Sequence, residues 1–180
     1  MTEPLQNPPA GPGNPARSPW VKRGWSAIHG RGLYARRDIP EGTRVIEYVG
    51  ERITPGEANR RDAARGDGCV YLFEVNQRVL IDGNVSWNPA RLINHACTGN
   101  CEPQKIRGRI WIVALRDIAA GEELSYDYGF EFDNWRDHPC RCGTAGCVGH
   151  IVGKAHRPRV LRALAREAAA AQARQNGPRA

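Results

Sequence analysis

Nowhere in the 180 residues is there a run of about eighteen apolar side chains, so no segment reads as a helix crossing a bilayer, and no membrane partner is expected. Residues 1–19 also lack the apolar stretch of a secretory signal. They carry six Pro and a Gly/Asn cluster instead, and read as a disordered leader. Without an export signal, the six Cys are expected as thiols or metal ligands before disulfides, and the expected location is cytoplasmic, with a nuclear or nucleoid-associated site as the alternative. A third lack concerns His29-Gly30-Arg31-Gly32: the final glycine of a dinucleotide fingerprint and its βαβ setting are missing.

Acidic residues are the scarcer charge, 19 against 26 Lys and Arg, giving a net +7. Residues 154–180 hold seven basic residues and one Glu, which is +6, while residues 1–19 sum to zero. The body from Trp20 to Gly153 is therefore nearly neutral at +1. Attraction to nucleic acid, an acidic protein or an anionic surface would belong to the tail.

Residues 25–29 and 33–35 read as short extended segments around the glycine turn, and residues 44–49 as a strand. Thr54-Pro55 opens a helix extending to Arg65, broken by Gly66-Asp67-Gly68. Residues 69–75 and 79–82 form a hairpin pattern, residues 84–91 a short helical turn, and residues 103–106 and 110–115 two further strands. Arg37-Asp38-Ile39-Pro40-Glu41-Gly42 is echoed by Arg116-Asp117-Ile118-Ala119-Ala120-Gly121, one turn type used twice, too little repetition for a solenoid. Pro158 can start a basic helix whose Val160, Leu161, Leu164, Ala165 and Ala168 share a face, for docking on the domain or pairing as a homodimer. The fold class is mostly β with short helices.

Three stretches carry chemistry. Residues 91–101 pack a short apolar run against Asn94, His95, Cys97 and Cys101. Tyr126 and Tyr128 are two residues apart, so on a strand they would face one side. Cys140, Cys142 and Cys147 are clustered. Separately, each fits a tight loop, a pair of core aromatics, or thiols and disulfides.

In order, Gly30-Arg31-Gly32, Tyr48-Val49-Gly50, residues 91–100, Glu123-Leu124-Ser125-Tyr126-Asp127-Tyr128 and Cys-x-Cys-x4-Cys resemble a SET-domain protein-lysine methyltransferase with a post-SET tail, over about Trp25 to Gly153. The resemblance implies a β-clip fold, with a SET domain over 20–133, a zinc-bound post-SET segment over 134–153 and a basic helix or tail over 154–180. It also implies transfer of a methyl group from S-adenosylmethionine to a lysine of a histone or other basic protein. Tyr128 becomes the catalytic tyrosine, Tyr126 the residue governing how many methyls are added, and Asp127 a residue holding the loop. Cofactor binding falls to His29, Gly30, Arg31, Tyr71, Asn94, His95 and Arg141. Cys97, Cys140, Cys142 and Cys147 become structural zinc ligands, leaving Cys69 and Cys101 as free thiols. Departures are Ala96 where the family has Ser, Gly99 where it has Pro, and no cysteine-rich segment before Trp25. A catalytically silent, zinc-containing protein-binding module is the alternative.

Overall fold

The computed structural model describes residues 17–65 and 71–175; Cys69 and the Gly66-Asp67-Gly68 break lie outside them. It divides into one unit of residues up to Asn94 with Gly99–Tyr126, and a second of His95–Thr98 with residues from Asp127 onward.

The first unit is built from short antiparallel strands. β1 (Val21–Trp25) pairs with β2 (Arg31–Ala35), so the turn at residues 26–30 closes a hairpin rather than continuing an extended segment. β3 (Arg44–Tyr48) lies beside β9 (Arg109–Ala114), which pairs in turn with β8 (Cys101–Ile106). A register shift between Arg44 and Ile46 lets the neighbours Val45 and Ile46 both be buried, which strict alternation would forbid. β4 (Glu51–Ile53), β6 (Val79–Asp82) and β5 (Leu72–Asn76) form the other three-stranded sheet. Between β4 and β5 comes α1 (Pro55–Arg65), with Pro in its first turn and Glu57 bound to Arg60 and Arg61 one turn on. A 3-10 turn at Pro89–Leu92 leads to the two-residue strand β7 (Asn94–His95), and β10 (Ser125–Tyr126) is equally short. Leu33, Val45, Ile46, Tyr48, Ile93, Ile112 and Leu124 are core residues of this unit.

The repeated turn has a structural meaning. Ile39 and Ile118 exchange backbone hydrogen bonds of 2.8 and 2.9 Å. Asp38 Oδ1 accepts from the Ala120 N–H at 2.8 Å, and Asp117 Oδ1 accepts from the Glu41 N–H at 2.9 Å, so equivalent residues of the two turns reciprocate.

The second unit has little regular structure before α2 (Arg157–Gln175). Its core is Trp135, Val148, Val152 and Val160, with Phe132, Ala163 and Leu164 packed against them. The apolar face expected on the helix is thus only partly used. Val160 and Leu164 dock, but Leu161 is 54% exposed, and Ala165 and Ala168 are exposed as well. Val160 at full burial contributes about 1.5–3 kcal/mol, so the start of α2 belongs to the fold of its unit.

Candidate functional site

In the first unit the glycine turn, β2 and Asn94 converge on Glu123. Asn94 Nδ2 donates to the Arg31 carbonyl at 3.2 Å and to Glu123 Oε1 at 2.9 Å. The Tyr34 hydroxyl donates to Glu123 Oε2 at 3.2 Å and also to the Trp25 carbonyl. Burial, reinforced by the Glu123 charge, raises the Tyr34 pKa above its ordinary value, keeping the hydroxyl a donor. Gly32 allows this approach, because a Cβ there would stand 2.4 Å from Glu123 Oε1. The resemblance assigned no role to Glu123 or Tyr34. Glu123 was visible within its motif, but its partners lie about thirty and ninety residues away.

Asn100 braces the neighbouring segment. Its Nδ2 donates to Glu122 Oε1 and to the Glu123 carbonyl, both at 2.8 Å, while its Oδ1 accepts from the Ser125 N–H at 3.0 Å. Gly99 lets that segment come close: a Cβ would lie 2.5 Å from the Ser125 carbonyl oxygen and 2.6 Å from the Tyr126 Cα. Any side chain at this position would have to displace that backbone. Tyr126 is 7% exposed, its ring 6.1 Å from that of Phe73. Tyr71 is half-buried, and its carbonyl accepts from the Tyr48 hydroxyl at 2.9 Å. His29, Gly30 and Arg31 are exposed, the Arg31 guanidinium 5.6 Å above the Trp25 ring.

In the second unit His95, Cys97 and Tyr128 form one array. His95 Nδ1 accepts the Tyr128 N–H at 3.2 Å, which leaves the ring proton on Nε2, 3.4 Å from Cys97 Sγ. The two rings meet edge to face, centroids 5.3 Å apart. Burial lowers the His95 pKa to about 4, with Asp127 opposing and Arg157 adding to the shift, so the ring is neutral and this tautomer stands. Asp127 accepts from the Gly129 N–H at 3.1 Å and from Arg157 Nη2 at 2.5 Å, which agrees with a residue holding the loop. Arg157 went unrecognised, since nothing in the spacing of a basic helix start marks one Arg as internal.

The sulfurs of Cys97, Cys140, Cys142 and Cys147 all lie within 4.8 Å of one another. Zinc–thiolate bonds of about 2.3 Å in a tetrahedron place sulfurs about 3.8 Å apart, and Cys97 and Cys140 stand at 3.9 Å. Cys142 Sγ accepts the Cys97 N–H at 3.5 Å, and Cys147 Sγ accepts the Gly149 N–H at 3.4 Å. Burial would raise the Cys142 pKa, but hydrogen bonds from the Cys97 amide and from Thr144 outweigh it and bring the value down to about 6. Burial raises Cys97 to about 12, with the neighbouring thiols adding to the shift. A set of four sulfurs, one already poised as thiolate, suits a closed structural metal site. Arg141 lies exposed between two of these cysteines, and Cys101 is a buried thiol whose pKa burial pushes to about 12.

Comparison with known proteins identifies the family. The model of the SET domain family matches residues 30–129. The histone-lysine N-methyltransferase, H3 lysine-4 specific, of Saccharomyces cerevisiae is 46% identical over 135 residues, covering 70% of this chain and 12% of that protein. The like-named protein of Chaetomium globosum is 44% identical over 140 residues, covering 73% and 13%. Among solved structures, polycomb repressive complex 2 of Chaetomium thermophilum aligns with TM-score 0.58 and 41% identity, over 63% of this chain and 16% of that one. A ctPRC2 structure bound to S-adenosylmethionine aligns with TM-score 0.58 and 40% identity, over 66% and 16%. The chain thus spans 13% or less of the length of these curated relatives. With more than half its residues inside the family's match and identity above 40% across 70% of its length, the chain belongs to the SET domain family.

Proposed function

We propose that this chain is an S-adenosylmethionine-dependent protein-lysine N-methyltransferase acting on a histone or another basic protein. The observation that carries the reading is the fixed backbone of Tyr128, held through His95 beside the Asn94 motif within the matched family segment. The names of the relatives as histone-lysine methyltransferases, and the S-adenosylmethionine in the ctPRC2 structure, support it.

When bound, S-adenosylmethionine supplies a sulfonium methyl, which the neutral lysine ε-amine takes by in-line displacement as the carbon–sulfur bond breaks and its electron pair stays on sulfur. The chain's own task is alignment and the supply of an uncharged amine, which must shed a proton from a group with pKa about 10.4. Tyr128 would position the amine, Tyr126 would limit the space around it, and an apolar channel would disfavour the ammonium. His29, Gly30, Arg31, Tyr71, Asn94, His95 and Arg141 would bind the methyl donor, several through backbone atoms. Cys97, Cys140, Cys142 and Cys147 would hold structural zinc, and His95 Nε2–H would orient one thiolate. A nuclear or nucleoid-associated location suits such a basic-protein substrate, with the cytoplasm as the other expectation. Pairing of two copies through α2 would use Leu161 and its exposed alanines, and sedimentation tests that.

The deciding experiment incubates the chain with labelled S-adenosylmethionine and basic proteins, then maps modified lysines by mass spectrometry. Labelled lysine that disappears in Tyr128→Phe is the expected result. A zinc-loaded chain that binds no S-adenosylmethionine would establish the silent binding module instead.

A further inference from the structure

We infer that the first half of α2 carries an arginine stripe that holds double-stranded nucleic acid by its phosphate backbone. Arg159, Arg162 and Arg166 are exposed. They stand at i, i+3 and i+7, which places them within about 60° around a helix, in a row about 10 Å long. With Phe132 and Ala163 they line a groove of about 270 Å³. The Arg159 guanidinium lies 3.7 Å from the centroid of the Phe132 ring, which holds it in place while leaving its charge and donors free.

Glu167, the one acidic residue of α2, is engaged by Arg136, and Arg157 is engaged by Asp127. Among the described residues no carboxylate forms an ion pair with Arg159, Arg162 or Arg166. The body of the chain is nearly neutral, so the stripe accounts for three of the +6 carried by residues 154–180.

Guanidinium groups match phosphate oxygens in a bidentate fork. A duplex carries a phosphate on each strand about every 3.4 Å of helix axis, so a row of this length can meet more than one. Phe132 and Ala163 give the groove little room for the buried apolar anchor that holds most protein partners. This inference stands apart from methyl transfer, and neither reading depends on the other.

The test is fluorescence anisotropy of the full chain with a labelled duplex of about twenty base pairs, between about 50 and 200 mM salt. Replacing all three arginines with Gln should lower the slope of log affinity against log salt by about 2.7, and Arg162→Gln alone by about 0.9. Replacing all three with Lys should keep the wild-type slope, since only charge is counted. Circular dichroism and metal content should match wild type in each variant. Failure of wild type to bind at about 50 mM salt, or an unchanged slope in the Gln variants, would overturn the proposal. Equal, arginine-dependent binding to polyglutamate or to phosphatidylglycerol vesicles would overturn it too.

Discussion

Asp127 and Arg157 are thirty residues apart in sequence and joined by a 2.5 Å ion pair, their side chains 27% and 13% exposed. The pair fastens the first residue of α2 to the residue between the two tyrosines. Arg157→Ala would leave a partly buried carboxylate without its cation, at a cost of about 1–3 kcal/mol. We expect a thermal midpoint lowered by several degrees and a larger fall in methyl transfer than in zinc content. Unchanged transfer with a lowered midpoint would make the pair purely structural.

Removing all of residues 158–180 should be more damaging than a loss of charge, because Val160 is fully buried against Trp135, Val148 and Val152. Transfer to a short lysine peptide should therefore fall along with stability. Truncation after Ala168 leaves the docked turns and should spare both; calorimetry and peptide assays separate the cases.

Cys142→Ser takes one sulfur from a set lying within 4.8 Å of one another. Elemental analysis should find about one zinc per wild-type chain and far less in the variant, and chelation of the wild type should expose titratable thiols. A metal-free chain of normal activity would exclude the assignment.

Tyr126 is buried, and its hydroxyl would take space that a growing methylamine needs. Wild type should give chiefly monomethyl-lysine, and Tyr126→Phe should shift products toward di- and trimethyl-lysine without abolishing transfer. A mass-spectrometric time course on one peptide checks this, and an unshifted product distribution would remove Tyr126 from the role.

A pH effect follows from Glu122. The Arg116 hydrogen bonds, against an opposing desolvation and with help from Asn100 and the Ala119 amide, hold its carboxyl below the usual range. A pKa depressed on folding stabilises above the unfolded value of about 4.3, and that stability is lost as pH falls through the folded value. Because the Arg116 and Glu122 side chains are 56% and 31% exposed, Glu122→Gln should cost only about 1 kcal/mol at neutral pH. The difference from wild type should narrow in denaturant melts as pH falls below the unfolded value; a gap that stays constant with falling pH would show that the loss is not electrostatic.

The sequence by itself determined which reactive residue types stand within a few positions of one another. The spacing of Cys140, Cys142 and Cys147, the Tyr126-Asp127-Tyr128 run and the Asn94-His95 pair are local signals, as are the strand-forming stretches behind β3, β8 and β9, because each depends on residues only a few positions apart. Tertiary structure alone decided which distant groups meet. The repeated Arg-Asp-Ile turn was legible as a repeat, yet that Asp38 and Asp117 cap each other's turns could not be read from it. Nor could Glu123 as the acceptor for Asn94, Arg157 as the partner of Asp127, or Val160 rather than Leu161 as the buried residue of α2. A helical period says which side chains share a face; which part of that face is covered depends on chain returning from far along the sequence, and no local pattern records it.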